Sequence, residues 1–141
     1  MAIFATLGPA GSNHELVTRR YIRFHGRDDV DLVLIDDFEA GLSMMAEGSV
    51  DFMIQAGAHF QTAATLAKAH FRHHIRAIDT FIAPSHPLAI LTRVEIKEPK
   101  TLALQPATRD YADLSNWITL IEESTTVAVG DGLLAGRYDS G

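Results

Sequence analysis

Residues 2–17, AIFATLGPAGSNHELV, decide the fold of this chain. The short apolar run Ala2–Leu7 is typical of a buried strand, and the Gly-Pro-Ala-Gly that follows ends it. From Ser12 onward, apolar residues recur at spacings of three and four, which is the pattern of an amphipathic helix. A strand-to-helix loop this tight either only turns the chain or binds an anion at the start of the helix.

Length and charge limit the classes of protein to consider. The chain has 141 residues, a formal net charge of −6 and no cysteine. This length suits one domain or two small lobes, and an acidic chain is not expected to bind nucleic acid. The lack of cysteine excludes disulfides and thiolate chemistry. No apolar run is long enough for a membrane span and the start does not resemble a signal peptide, so we expect a cytoplasmic protein without a membrane partner.

Strands and helices alternate along the chain. Beyond the first strand and helix, further strands are predicted at 31–36, 50–56 and 100–105. Further helices are predicted at 38–48, at 62–71, at 107–121 and from Ser124 or Thr125 onward. Asp37 has the residue type and position of a helix N-cap. This alternation predicts an α/β fold built on parallel sheets.

The pattern changes near Ile78, where helical spacing gives way to two extended apolar runs around APSHP at 83–87. We therefore predict two lobes, residues 1–78 and residues 79–141. A last strand is predicted to begin at Arg137 and to stop at Gly141, which would leave an unprotected sheet edge. For that reason we expect the second lobe to be a truncated part of a longer domain.

Small polar residues occupy predicted helix starts, mostly just after a strand. Free N–H groups at such positions attract carboxylate or phosphate, and ligands of open α/β sheets bind at the carboxyl ends of strands. Two lobes that share such loops would form a cleft for a small anion, with arginines as candidate carboxylate clamps. The alternative, more common for any single position, is that these residues only cap helices. The polar residues are Ser12, Asn13, Thr108, Ser124 and Thr125, and the arginines are Arg19, Arg20 and Arg109.

The histidines suggest acid–base chemistry more than metal binding. His59 follows a strand in a glycine-containing loop, and its near-neutral pKa suits a general acid or base, although a hydrogen bond within the loop explains it equally well. His70, His73 and His74 lie close together but at a predicted helix end and without the glutamate of an H-E-x-x-H motif. We therefore expect no metal at these histidines. The GPAGS loop lacks the lysine of a P-loop, so we also expect no nucleotide, and we expect no other cofactor.

An ordered series of short motifs resembles the prephenate dehydratase family. GPAGS at 8–12 resembles the family's Gly-Pro-x-Gly-Thr, and Asp37-Phe38 opens the second helix in both. APSHPLAIL at 83–91 resembles the segment that crosses between the family's two lobes. Later matches are Pro106, Asn116, Trp117, Ser124 and Thr125, so the similarity spans nearly the whole chain.

The resemblance implies a two-lobed fold similar to type II periplasmic binding proteins, with prephenate held between the lobes. The substrate would be a small dicarboxylate, and its carboxylates would be bound by residues of both lobes. The implied substrate-binding residues are Ser12, Asn13, Ala58, Thr108, Ser124 and Thr125. We also expect a homodimer or a higher homo-oligomer.

Departures from the family pattern bear on the reaction. The family's Glu-Asn-Ser after the third strand is replaced by Ala56-Gly57-Ala58-His59, and its Thr-Arg-Phe motif would lie beyond Gly141. The prephenate decarboxylases of bacilysin-type pathways are similar in lacking Glu-Asn-Ser and in carrying a histidine in this loop. The resemblance therefore implies a lyase, either a dehydratase or a decarboxylase, with His59 as proton donor. The alternative from another class is a non-catalytic sensor of small acids or amino acids on the same scaffold.

Overall fold

The computed structural model describes residues 1–141 and divides into two compact units, Met1–His86 and Pro87–Gly141. Both units contain helices and a parallel sheet, which confirms the predicted α/β class. The change of unit comes after His86, further along the chain than the predicted change near Ile78.

The sheet of the first unit has three parallel strands in the order β2-β1-β3. The strands are β1 at Ala2–Leu7, β2 at Val30–Ile35 and β3 at Phe52–Ile54. The helices are α1 at Asn13–Phe24, α2 at Phe38–Ala46 and α3 at Thr62–His73. All six elements were predicted from the sequence, and β3 is shorter than the predicted strand at 50–56.

The helices begin where the polar caps predict. The Ser12 hydroxyl accepts a hydrogen bond from the Glu15 N–H at 3.2 Å, and the Asp37 carboxylate accepts one from the Ala40 N–H at 2.7 Å. Each cap satisfies a backbone donor that the first helical turn leaves free. Gly26, with φ of 61°, follows the end of α1 in a conformation that glycine adopts most easily.

Helices cover both faces of the first sheet. On one face, Phe4 and Ile54 of the sheet pack with Val17 of α1. On the opposite face, a second cluster joins sheet residues to Phe38 of α2, and α2 also contacts α3. The helix after β1, α1, therefore lies on one face of the sheet, whereas α2 and α3 lie on the other face.

Residues 79–84 belong to the first unit because they pack against α1. The Tyr21 hydroxyl donates to the Asp79 carboxylate at 2.9 Å, and the Tyr21 and Phe81 ring centroids are 4.6 Å apart. Arg20 donates to the carbonyl oxygen of Pro84. These contacts explain why the unit extends past the predicted boundary.

The second unit has two parallel strands, β4 at Thr101–Leu104 and β5 at Thr119–Glu122. A 3-10 helix at Pro106–Tyr111 follows β4, and α4 at Thr126–Leu134 follows β5. Its core joins Ala103 of β4, Val129 of α4 and Tyr138 near the end of the chain.

The helix predicted at 107–121 is wrong. Ala112 has extended backbone, with φ of −146° and ψ of 164°, and the Asp113 carboxylate turns the chain by accepting from the Ser115 N–H. Tyr111 and Ile118 are 70% and 80% exposed, so their helical spacing has no apolar surface to cover. Because β5 pairs with β4, the chain is extended again from Thr119.

The predicted strand from Arg137 is also absent as a strand. Only Ser140 forms isolated bridges there, to Thr92 and to Leu102. The extended apolar runs between α3 and β4 likewise contain no strand, and Thr92 is their one bridged residue. No helix in the structure combines the length and the apolar character needed to cross a bilayer.

Candidate functional site

The topology of the first unit defines one preferred place for a ligand. β1 lies between β2 and β3, and the helices after β1 and β3 lie on opposite faces of the sheet. In open parallel sheets, the carboxyl ends of two such strands form a crevice where ligands bind. Here that position is bordered by the start of α1 and by the loop from β3 to α3.

The start of α1 already holds a carboxylate of the protein itself. The Glu15 carboxylate accepts from the Gly11 N–H at 2.7 Å and from Arg19 Nε at 2.8 Å, contacts that lower the pKa of Glu15. The buried Ser12 hydroxyl donates to the Leu7 carbonyl at 3.0 Å besides capping the helix. Both groups are thus used within the chain, and contact between Ser12 and a substrate stays a prediction.

Asn13 and Ala58 lie at the edges of the same region. The Asn13 side-chain oxygen accepts from the His86 N–H at 3.1 Å, which leaves its amide NH₂ group for another partner. Ala58 is exposed in the loop after β3. Their predicted contacts with a substrate stay predictions.

His59 is held in a loop whose backbone is well bonded. Its N–H donates to the Ala56 carbonyl at 3.0 Å, and that carbonyl also accepts from the Thr62 hydroxyl at 2.7 Å. His59 Nδ1 accepts from the Gln61 N–H at 3.3 Å, so in the neutral ring the proton is on Nε2. Burial lowers the pKa of His59 below its ordinary value.

His14 is a second imidazole at this site, and sequence reasoning missed it. Its Nε2 accepts from the Ala56 N–H at 3.1 Å, and its ring centroid is 5.6 Å from that of His59. Burial, together with the neighbouring His59, lowers the pKa of His14 to about 4. We call His14 and His59 the histidine pair; the lowered pKa values favour the neutral form of both rings.

Aromatic rings surround the histidine pair. The Phe38 centroid lies 6.0 Å from that of His14 and 5.1 Å from that of His59. Phe60 stacks on His59 at 4.7 Å. These apolar neighbours displace water from the imidazoles, which accounts for the lowered pKa values. No other His, Asp or Glu side chain joins the pair to complete a group of three potential metal ligands.

The remaining predicted site residues lie in the second unit, at the carboxyl ends of β4 and β5. The Thr108 hydroxyl donates to the Gln105 carbonyl at 2.8 Å. The Thr125 hydroxyl accepts from the Ala128 N–H at 3.0 Å as the cap of α4, and Ser124 beside it is exposed. Because β4 and β5 are neighbouring parallel strands, their ends bring these three residues to one edge of the sheet.

None of the three candidate arginine clamps is free of protein partners. Arg19 is paired with Glu15 and Arg20 with the Pro84 carbonyl, while Arg109 donates to the Glu122 carboxylate at 3.0 Å. A ligand carboxylate would therefore have to compete for these guanidinium groups.

A separate cavity of about 430 Å³ lies toward the far end of α1 in the first unit. It is lined by Tyr21, Phe24 and His25 of that helical segment and by residues 79–84. Its volume would hold a small molecule, but it is remote in sequence from the strand ends where the histidine pair lies.

Comparisons of the chain with protein-family models, with curated proteins and with solved structures found no match.

Proposed function

We propose that this chain is a lyase of the prephenate dehydratase type. It acts on prephenate, or on a similar cyclohexadienyl dicarboxylate, with loss of CO₂. The observation that carries the proposal is His59 with its unpartnered Nε2, beside the carboxyl ends of β1 and β3. In this proposal the two units correspond to the two lobes of a type II periplasmic-binding-protein fold.

The reaction requires little covalent chemistry from the protein. The C–C bond to the ring carboxylate breaks, CO₂ leaves, and the electron pair passes into the ring. A decarboxylase delivers one proton to a ring carbon, whereas a dehydratase delivers it to the 4-hydroxyl, which leaves as water. His59 supplies this proton from its imidazolium form, which burial disfavours and at the same time makes a stronger acid by lowering the pKa of His59.

Incubation of the chain with prephenate, followed by ultraviolet spectroscopy, tests the proposal. Phenylpyruvate as product indicates a dehydratase, and a non-aromatic dihydro-hydroxyphenylpyruvate indicates a decarboxylase. We expect His59→Ala to lower kcat at least about a hundredfold, because general acid catalysis contributes about this much. His70→Ala, at an exposed position of α3, is the matched control and should keep the full rate. Full activity of His59→Ala would exclude His59 as the proton donor.

A second candidate is a binding module that senses a small acid without turnover. It is favoured by the burial that lowers the pKa of His59, since a neutral imidazole can bind an acid but lacks the proton that the lyase needs. Saturable binding of prephenate with no product would identify this function.

Self-association belongs to the same proposal. In this proposal a second copy of the chain covers exposed large apolar side chains, such as those of Phe24, Phe71 and Ile82. Light scattering coupled to size-exclusion chromatography measures the mass in solution and separates a homodimer or a higher oligomer from a monomer.

A further inference from the structure

The histidine pair contains a hydrogen-bond donor that the proposed reaction does not use. His14 Nε2 accepts from the Ala56 N–H, so the neutral ring must carry its hydrogen on Nδ1. His14 Nδ1 has no hydrogen-bond partner in the chain, and this atom is not fully buried. It is therefore a donor that is open to a ligand.

His59 presents the complementary donor. Its Nδ1 accepts from Gln61, which leaves Nε2–H without a partner in the chain. In their neutral forms the two rings are thus opposite tautomers, because His14 presents Nδ1–H and His59 presents Nε2–H. Their ring centroids are 5.6 Å apart. The backbone contacts at Ala56 and Gln61 fix these tautomers before any ligand arrives.

We propose that His14 is a second ligand-contacting residue, whose Nδ1–H donates to a carboxylate or keto oxygen of the bound acid beside His59. This inference rests on the proposed function in assuming that the site takes a small organic acid. A neutral donor orients a carboxylate without the ion pair that would stabilise the ground state ahead of CO₂ loss. The proposal therefore gives the uncharged His14 ring a role beside the proton donor His59.

An unpaired acceptor lies next along the chain. Gln55 directly precedes Ala56, and its Oε1 is buried without a hydrogen-bond partner. Buried polar groups in native proteins are nearly always bonded, and a bound ligand is one way to satisfy such an atom.

Two substitutions separate ligand contact from a purely structural role of His14. His14→Gln places an amide oxygen near the position of Nε2, so it keeps an acceptor for the Ala56 N–H but has no donor at Nδ1. His14→Asn places an amide N–H near the position of Nδ1 but is too short to reach Ala56. Ligand contact and loop anchoring therefore predict opposite orders for the two variants.

The experiment measures binding of prephenate and of phenylpyruvate to the full chain by titration calorimetry. We expect His14→Gln to weaken binding about tenfold or more, which is the effect of one lost hydrogen bond to a charged group. His14→Asn should weaken it less than His14→Gln does. The reverse order would show that His14 only anchors the loop and would overturn the inference.

Nitrogen-15 spectra of the histidines provide a readout independent of turnover. At pH 7 His14 should show a protonated Nδ1 and an unprotonated Nε2, and either acid should shift the Nδ1 signal. The opposite tautomer, or no shift with both acids, overturns the inference. Binding through His14 without any product would refute the proposed lyase but support this inference. Product formation at an unchanged rate in His14→Gln would support the lyase but overturn this inference.

Discussion

His14 and His59 show how local contacts set the charge of a site. Each ring accepts one backbone N–H, and protonation of that nitrogen would break the hydrogen bond. Aromatic neighbours remove water from the same rings. Both effects favour the neutral form of the two rings, in which each ring presents one N–H donor.

The depressed pKa of His14 makes stability depend on pH. The pKa of His14 has its ordinary value of 6.5 in the unfolded chain and is about 4 in the folded chain. Between these values the unfolded state binds more protons, so the free energy of unfolding falls as the pH falls through this window. The full contribution is present above pH 6.5.

We expect the wild type to lose about 1 kcal/mol more stability than His14→Gln between pH 7 and pH 5. This figure allows for solvent screening of the partly exposed ring. Urea unfolding at the two pH values measures the loss, with His70→Gln as a control at an exposed position. Equal losses in the wild type and in His14→Gln would show that His14 does not carry the effect.

Position after a strand was enough to predict His59 as a site residue from the sequence, but not His14. The role of His14 comes from a hydrogen bond to Ala56, which lies on another strand-end loop far away in sequence. Strand order, which brings those loops together, cannot be read from local patterns. Ser12 and Thr125 were recognised correctly as helix caps, whereas a ligand-binding role for them stays a prediction.

Among the elements, those with both a cap and a buried apolar face could be predicted. α2 is an example, because Asp37 caps its start and Phe38 and Leu42 are buried along it. The helix predicted after β4 had apolar spacing at Tyr111 and Ile118 but nothing to pack against, and pairing of β5 with β4 prevailed. Periodicity predicts a helix only where the tertiary structure supplies a surface for it.

The cap of α2 can be tested by substitution. Asp37→Ala removes the carboxylate that accepts from the Ala40 N–H, and we expect a loss of about 1 kcal/mol in the free energy of unfolding. Asp36→Ala removes the same charge one residue earlier, at an exposed position, and should change stability by less than about 0.5 kcal/mol. Urea denaturation followed by circular dichroism measures both variants, and equal effects would argue against a capping role.

Considered as a whole, the chain has separate cores in its two units. The first is built on both faces of a three-stranded sheet, and the second is centred on Ala103, Val129 and Tyr138. Regular structure is concentrated around these cores. Residues 76–90, by contrast, make no backbone-to-backbone hydrogen bond and are almost all exposed, although some of their side chains pack on α1.

Limited proteolysis can test whether residues 76–90 are less protected than the helices. Trypsin cleaves exposed, extended chain more readily than hydrogen-bonded helix, because cleavage of a helix requires local unfolding. Arg76 is exposed within the unbonded stretch, whereas Lys68 and Arg72 lie in α3. We therefore expect the first cut to follow Arg76 and to give fragments 1–76 and 77–141, identified by mass spectrometry at early times. Arg76→Gln should delay this cut without changing stability, and a first cut inside α1 or α3 would show that residues 76–90 are better protected than their hydrogen bonding indicates.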